Sequence, residues 1–310
     1  MSFNPLIERI ANTQNPTVVG LDPRLEYIPE FIKESAFDEL GRTLSGVSRA
    51  FHNFNMAIID AICDIVPAVK PQSAFYEALG AEGILALQAT CDYATARGMY
   101  VILDGKRNDI GSTAEGYAEA YLGKVAIDGE EFQPWQVNAL TVNGYLGTDG
   151  IVPFVKACDK HDKGIFVLVK TSNPSSGELQ DKLIGDKSVY EIMGELTAKW
   201  GNESIGKYGY SAVGAVVGAT YPAQIAELRK KLPATFFLIP GYGAQGGTAA
   251  DLKAAFDGNG LGGIVNSSRG VICAYKQEQC DERDFAGAAR RECLRMRDDL
   301  MSEIGSINLP

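Results

Sequence analysis

The sequence predicts an α/β fold: a single (β/α)8 barrel with an enlarged first crossover and a C-terminal closing helix. Three observations lead to this prediction. Eight short apolar runs recur along the 310 residues, a segment of helical character follows each run, and no low-complexity linker or internal repeat divides the chain. Eight strand–helix units are the number that closes a parallel barrel, so we expect residues 1–310 to form one barrel domain.

The eight apolar runs are the predicted strands. They are rich in β-branched residues and apolar almost throughout, which is typical of parallel strands that helices cover. In chain order the runs are TVVGLD, IVPAVK, MYVILDGK, WQVNALTVN, GIFVLVKTS, AVGAVVGAT, TFFLIPG and GGIVNSS.

The longest gap separates the first run from the second and accounts for the enlarged crossover. It contains a connection around Pro29 and then a long helix that carries Phe51 and Phe54. After the seventh run we expect a helix over residues 251–256, and the amphipathic segment 285–304 is predicted to close the ring.

Composition excludes several classes of protein. The chain is 45% hydrophobic and 22% charged, which is ordinary for a globular protein. Its formal net charge of −10 argues against a nucleic-acid partner, because nucleic-acid binding depends on clustered lysine and arginine. No stretch approaches the roughly 18 apolar residues of a membrane span, and the first residues lack the basic start and apolar run of a signal peptide. We therefore expect neither a nucleic acid nor a membrane as a partner.

Cysteine and histidine are few and scattered. The six cysteines lie far apart without a C-x-x-C pair, so we expect reduced thiols and a cytoplasmic protein. Because His52 and His161 are the only histidines, a histidine-based zinc site or a Ser-His-Asp triad is poorly supported.

Charged residues follow the first three runs, at the carboxyl ends where barrels place their active sites. They are Asp22, Lys70, Asp104, Lys106 and Asp109. Asp104 and Lys106 are two positions apart and would point the same way along a continuing strand, and neighbouring strands lie only about 4.8 Å apart. The first four of these side chains could therefore converge. The alternative is that charges end strands simply because loops are solvated.

Glycine-rich loops follow the last two runs, with the sequences PGYGAQGG (240–247) and NSSRG (266–270). Barrels often bind phosphate at these loops, because glycine lets backbone N–H groups approach an anion, and Arg269 would supply a fixed charge. The alternative is that the glycines only make tight turns and Arg269 is a surface cation. The 240–247 loop also matches G-x-G-x-x-G, the fingerprint of dinucleotide-binding proteins. That fingerprint expects an acidic residue at the end of the next strand, where this chain has Asn266. A single phosphate therefore fits the loop better than a dinucleotide.

Ser172 and Asn173 follow the fifth run. Their polar groups could bind the amide edge of a heterocycle, although both residue types are also common turn formers.

The segment DGKRNDI (104–110), with Thr113, resembles the D-x-K-x-x-D-I signature of the orotidine 5′-monophosphate decarboxylases, a TIM-barrel family. Six further segments resemble the longer-chain (type 2) branch of that family, in the expected order, from residue 17 to about residue 271: VGLDPR, AVKPQ, ALTVNGYLG, VKTSNPSS, PGYGAQGG and NSSRG.

The resemblance implies the decarboxylation of orotidine 5′-monophosphate to uridine 5′-monophosphate and CO2, the last step of pyrimidine nucleotide biosynthesis, in a homodimer with shared active sites. Lys70, Asp104, Lys106 and Asp109 would form an alternating charge network. The substrate contacts implied are Asp22 and Lys70 at the ribose, Ser172 at the pyrimidine, Gln245 between base and phosphate, Arg269 and the backbone around Gly243 at the phosphate, and Asp109, Ile110 and Thr113 at the neighbouring subunit.

The chemistry of decarboxylation requires a cation near C6 of the base, and Lys106 would supply it. Loss of CO2 from C6 leaves a negative charge that the ring π-system cannot delocalise, so a fixed cation must stabilise it. Flanking carboxylates favour the protonated form of Lys106, which would also protonate C6. Asp104 could repel the substrate carboxylate in the ground state. We expect no metal or other cofactor.

Two other functions stay open on the sequence. A sister barrel that acts on sugar phosphates through a magnesium-stabilised enediolate shares the D-x-K-x-x-D pattern, but it has an acidic metal ligand where this chain has Lys70, which would repel a divalent cation. A non-catalytic barrel would bind the nucleotide without forming product.

Overall fold

Eight parallel strands form a closed barrel in the computed structural model, which describes residues 3–243 and 246–310. Each strand pairs with the next in chain order, and the last pairs with the first, so the predicted (β/α)8 fold is confirmed. The strands are β1 (Thr17–Leu21), β2 (Ala68–Pro71), β3 (Tyr100–Arg107), β4 (Ala139–Val142), β5 (Gly164–Lys170), β6 (Val213–Val217), β7 (Phe237–Pro240) and β8 (Gly263–Ser267).

Helices surround the barrel and connect its strands. No helix in the described part of the chain is both long enough and apolar enough to span a membrane. The helices are α1 (Asn4–Thr13), α2 (Glu30–Leu40), α3 (Leu44–Ile62), α4 (Ser73–Glu77), α5 (Gly80–Ala96), α6 (Gly111–Leu122), α7 (Thr148–His161), α8 (Val189–Trp200), α9 (Pro222–Lys231), α10 (Ala249–Leu252), α11 (Arg269–Ile272), α12 (Ala274–Glu278) and α13 (Phe285–Ile304).

The first crossover is enlarged, as predicted, because it holds both α2 and α3. The Thr43 side chain accepts a hydrogen bond from the backbone N–H of Gly46 and so caps the start of α3. The closing helix α13 spans the predicted residues and packs on α3, where the rings of Phe54 and Phe285 stack with centroids 5.1 Å apart. Both additions to the barrel therefore share one apolar core.

The predicted helix over residues 251–256 is shorter and begins earlier. The structure has α10 over Ala249–Leu252 and then a single 3-10 turn. Thr248 and Asp251 form a capping box that fixes the start of α10. Phe256 is extended, and the Asp257 carboxylate accepts hydrogen bonds from two following backbone N–H groups, which favours a turn over further helix.

The amino end of the barrel is filled with apolar side chains. Phe3, just before α1, packs its ring against Phe166 and Phe236 inside the barrel, with centroids 4.8 and 5.5 Å away. Leu168, Val216 and Leu238 belong to the same apolar cluster. Polar residues are left to the carboxyl end of the barrel, above this core.

Candidate active site

A cleft of two adjoining cavities opens at the carboxyl end of the barrel. The first, of about 350 Å³, lies against the segments that follow β1, β2, β7 and β8. The second, of about 250 Å³, lies over β3 to β7 and has Leu168, Val216 and Leu238 in its lining. Lys70 and Asp104 line both cavities, which makes the two one continuous cleft.

Asp104 lies between two lysines at the junction of the cavities. Its carboxylate accepts hydrogen bonds from Lys70 Nζ at 2.7 Å and from Lys106 Nζ at 2.6 Å. The hydroxyl of Thr141, at the carboxyl end of β4, donates a third at 2.9 Å. Lys70 and Asp104 are 4% and 8% exposed, so the pair is withdrawn from solvent, whereas Lys106 is 45% exposed along its side chain and reaches into the second cavity.

Electrostatic interactions in this cluster keep Asp104 and Lys70 charged. Burial alone would raise the pKa of Asp104, but the ammonium groups of Lys70 and Lys106 outweigh it and hold that pKa well below its usual range. Burial alone would lower the pKa of Lys70, but the carboxylates of Asp104 and Asp22 outweigh it and raise that pKa. A buried carboxylate and a buried ammonium group thus remain ionised at neutral pH.

Lys106 reaches Asp104 through an irregular backbone and not through a regular strand. The register of β3 against β4 shifts between Leu103 and Arg107, and Lys106 has a φ of 48°, in the left-handed region. Such a conformation costs about 1–3 kcal/mol for a residue other than glycine, and it is found where the surroundings hold it. Here the Lys106 backbone N–H donates to the Thr141 hydroxyl at 3.0 Å. Thr141 therefore orients both the lysine and the carboxylate.

Asp22 lines the first cavity just beyond β1. Its Oδ1 atom is buried and has no hydrogen-bond partner among the described residues. A buried carboxyl oxygen without a partner is suited to accept a hydrogen bond from a bound hydroxyl group.

The loops after β7 and β8 meet at the first cavity. Gly241 and Gly243 have φ values of 105° and 69°, which only glycine adopts readily. Arg269, an exposed residue that begins α11, lines the cavity. Gly243 instead lines a separate hollow between this loop and α13, and the predicted contact residue Gln245 lies outside the described residues.

Ser172 and Asn173 line the second cavity, as the position after the fifth run suggested. The end of β6 comes so close to them that a Cβ atom on Gly218 would lie 2.8 Å from the Ser172 backbone, so only glycine fits there.

This β5 loop is braced from beneath by a lysine that the sequence analysis passed over. Lys170 is fully buried, and its Nζ donates to Asp181 at 2.6 Å and to the Ser176 hydroxyl at 3.3 Å. The ammonium group also lies 4.3 Å from the ring centroid of Tyr221. The available signal was a lysine that directly ends an apolar run, the same signal that singled out Lys70.

Asp109, Ile110 and Thr113 stand apart from the cleft within the described chain. The Asp109 carboxylate accepts a hydrogen bond from the Ile110 backbone N–H at 2.8 Å, and none of the three residues lines either cavity. Ile110 is 55% exposed, and Thr113 is exposed at the start of α6. Within the described residues, Lys106 pairs with Asp104, and Asp109 bonds to its own backbone neighbour.

Metal-binding residue types are scattered over the described part of the chain. Among residues 3–243 and 246–310, no group of three or more histidine, cysteine, aspartate or glutamate side chains is arranged to hold a metal ion. All six cysteines are free thiols.

Comparison with known proteins identifies the family. The model of the orotidine 5′-phosphate decarboxylase / HUMPS family matches residues 18–281, which is most of the chain. The chain belongs to this family. It is 46% identical over 295 residues to the orotidine 5′-phosphate decarboxylase of Rhodopirellula baltica, covering 94% of this chain and 96% of that protein.

Two further relatives agree over nearly the whole length. The orotidine 5′-phosphate decarboxylase of Clostridium tetani is 41% identical over 308 residues, covering 99% of this chain and 100% of that protein. The solved structure of Leishmania donovani OMP decarboxylase superposes with a TM-score of 0.70 at 31% identity, covering 96% of this chain and 99% of that one. The resemblance inferred from the sequence motifs is confirmed at the level of the family.

Proposed function

We propose that this chain converts orotidine 5′-monophosphate to uridine 5′-monophosphate and CO2, as the last step of UMP biosynthesis. The observation that carries the proposal is the Lys70–Asp104–Lys106 cluster at the junction of two cavities, one of which holds Arg269. The names of the relatives support the same reaction.

The two cavities suit the two ends of this substrate. The first, with Arg269 and the glycine-rich loop, would hold the phosphate, and the second, with Ser172 over an apolar floor, would hold the pyrimidine. The ribose would lie between them, where Asp22 Oδ1 and Lys70 are available to its hydroxyl groups. In this arrangement C6 of the base would lie near Lys106.

Decarboxylation breaks the bond between C6 and the carboxylate carbon and leaves the electron pair on C6 as CO2 departs. The Lys106 ammonium group stabilises that charge and then donates its proton to C6, and water returns a proton to the lysine. Asp104, held ionised by Lys70, keeps Lys106 in position through the 2.6 Å hydrogen bond and repels the substrate carboxylate. Every step uses side chains of the protein and requires no metal or other cofactor.

The decisive experiment follows absorbance of the orotate chromophore while purified protein acts on orotidine 5′-monophosphate in the presence of a metal chelator. We expect rapid conversion by the wild type and almost none by Lys106→Ala. Lys253→Ala is the matched control, because Lys253 is exposed and lines neither cavity. Absence of conversion by folded wild-type protein would reject the proposed function.

The magnesium-dependent sugar-phosphate reaction is the second candidate. The name of the matched family joins orotidine 5′-phosphate decarboxylase with HUMPS, which we take to be the sister barrels that act on sugar phosphates. The buried, positively charged Lys70 occupies the position where that chemistry needs an acidic ligand, which disfavours it. No conversion of orotidine 5′-monophosphate, together with turnover of a sugar phosphate that a chelator abolishes, would favour the sugar-phosphate reaction.

We also propose a homodimer with shared active sites, in which Asp109 and Thr113 serve the site of a second copy. Support comes from their separation from the cleft and from the exposed apolar side chains of Ile110, Tyr145 and Leu146, which a partner would cover. In a mixture of inactive Lys106→Ala and Asp109→Ala proteins, half of the sites in each mixed dimer are intact, so activity should return to about a quarter of the wild-type value. An active monomer, or no recovery on mixing, would contradict the shared site.

The enlarged first crossover supports assignment to the longer-chain branch of the family. The six free thiols support a reducing compartment, and we propose that the protein works in the cytoplasm.

A further inference from the structure

A second arginine lines the cavity assigned to the phosphate. Arg24, two residues beyond Asp22, lines the first cavity together with Arg269 and does not line the second. The segment VGLDPR drew attention to Asp22, and nothing in the proposed function uses Arg24.

Arg24 is held at the rim of this cavity by aromatic rings. Its guanidinium carbon lies 5.2 Å from the ring centroid of Phe75 and 6.0 Å from that of Tyr27, and both rings line the same cavity. Its one ion pair among the described residues, with Glu26 at 3.5 Å, joins two side chains that are more than half exposed, so it competes weakly for the charge.

The segment that carries Arg24 is fastened to the segment that carries Arg269. The carbonyl of Tyr27 accepts a hydrogen bond from the Tyr275 hydroxyl at 3.0 Å, and the carbonyl of Glu26 accepts one from Lys276. Tyr275 and Lys276 belong to α12, which begins two residues after the end of α11. The two arginines are therefore set on one connected piece of structure.

Balancing the charge of a phosphate bound in the first cavity would require a cation besides Arg269. A phosphate monoester carries a charge of roughly −1.5 to −2 at pH 7. The cavity also contains the carboxylates of Asp22 and Asp104, and the ammonium group of Lys70 is already paired with Asp104. With Arg269 as the only further cation these charges cancel, so the negative charge of the bound phosphate itself would stay unbalanced.

We propose that Arg24 binds the phosphate group of the nucleotide together with Arg269. This inference rests on the proposed function, since it assigns the first cavity to the phosphate of that substrate. The stacked guanidinium needs little reordering when the anion arrives, because Phe75 and Tyr27 already hold it at the rim.

The test compares binding of uridine 5′-monophosphate and uridine by calorimetry in the wild type, Arg24→Gln and Arg24→Lys. We expect Arg24→Gln to bind uridine 5′-monophosphate about tenfold more weakly and uridine as the wild type does, with Arg24→Lys in between. The loss should shrink at high salt. Arg42→Gln is the matched control: Arg42 stacks on Phe37 at 5.1 Å but lines neither cavity.

Unchanged binding of uridine 5′-monophosphate by Arg24→Gln would overturn the inference, and so would an equal loss for both ligands, which would indicate damage to the cavity as a whole. Wild-type protein that binds uridine 5′-monophosphate without decarboxylating orotidine 5′-monophosphate would reject the proposed function and leave the test of Arg24 valid. Wild-type protein that does not bind uridine 5′-monophosphate would overturn both.

Discussion

At Asp104, three donors converge on one buried carboxylate: the ammonium groups of Lys70 and Lys106 and the hydroxyl of Thr141. The folded protein lowers the pKa of Asp104, so its ionised form stabilises the fold above the unfolded pKa, and this stabilisation is lost as the pH falls toward the folded value. Folding raises the pKa of Lys70. The charged Lys70 therefore stabilises the fold below its unfolded pKa, and this stabilisation is lost as the pH rises through the folded pKa. Both contributions are therefore present at neutral pH.

Replacement of this carboxylate should be costly at neutral pH. We expect Asp104→Asn to lower the free energy of unfolding by about 3 kcal/mol at pH 7, because it removes the main counter-ion of the buried Lys70. In urea unfolding, the gap to the wild type should narrow as the pH falls below about 4, where the wild-type aspartate loses its own advantage. The control is Asp64→Asn, whose exposed pair with Arg290 should be worth less than about 1 kcal/mol. Similar losses in the two variants would contradict this account.

At the scale of elements, the loop after β5 depends on a brace that lies outside the cleft. Lys170 ties the end of the strand to Asp181, and the Gln180 side chain bonds to Thr171 on both its donor and its acceptor side. These contacts connect the two ends of the loop that presents Ser172 to the second cavity. The brace would thus affect the pyrimidine site proposed for the second cavity only through the position of the loop.

Removal of the brace should weaken substrate binding more than turnover. We expect Lys170→Met to raise KM for orotidine 5′-monophosphate about tenfold with a smaller change in kcat, because a loosened loop loses contacts made in both ground and transition states. The stability loss should stay near 1.5–3 kcal/mol, about the worth of a charged hydrogen bond, since Asp181 is 44% exposed and can be hydrated.

Lys187→Met is the control for that measurement, because it removes an exposed lysine paired with Glu195 at 2.7 Å. Steady-state kinetics compare KM and kcat of the two variants with those of the wild type. An unchanged KM in Lys170→Met would show that the loop holds its position without the lysine.

At the scale of the whole molecule, the two additions to the barrel support each other. The enlarged first crossover and the closing helix α13 meet where Phe54 and Phe285 stack, and Tyr275 of α12 packs edge-on against the same Phe285 ring, 6.5 Å between centroids. Phe54 and Phe285 are 0% and 4% exposed. This shared core joins residues that are far apart in the sequence.

Truncation at this junction should destabilise the whole chain. We expect Phe285→Ala to lower the free energy of unfolding by about 3–5 kcal/mol, through lost burial and the cavity left behind. Phe132→Ala, at a ring that is 49% exposed, should change it by less than about 0.5 kcal/mol. Urea unfolding measures the free energies of unfolding of the two variants, and their m-values should be unchanged. A small loss of stability in Phe285→Ala would mean that α13 is not part of the core.

The sequence by itself determined the fold and the charged side chains that meet at the carboxyl end of the barrel. Near-continuous apolar runs, each followed by a helix, leave few arrangements other than a closed parallel barrel. The polar residues at the ends of those runs then had to meet at one end, and Lys70, Asp104 and Lys106 do meet there. These patterns can be recognised in the sequence because apolar and polar residues repeat with the periods of strands and helices.

The tertiary structure alone decided how the site is supported. The left-handed backbone of Lys106, the double role of Thr141, the burial of Lys170 and the stacking of Arg24 on Phe75 all depend on contacts between segments that are distant in the chain. The early start of α10 is set by its capping box, and its early end by the turn at Asp257. The T-x-x-D spacing of that capping box and the lysine that ends the fifth run are visible in the sequence. The other features arise from packing and not from periodicity, so no pattern along the sequence encodes them.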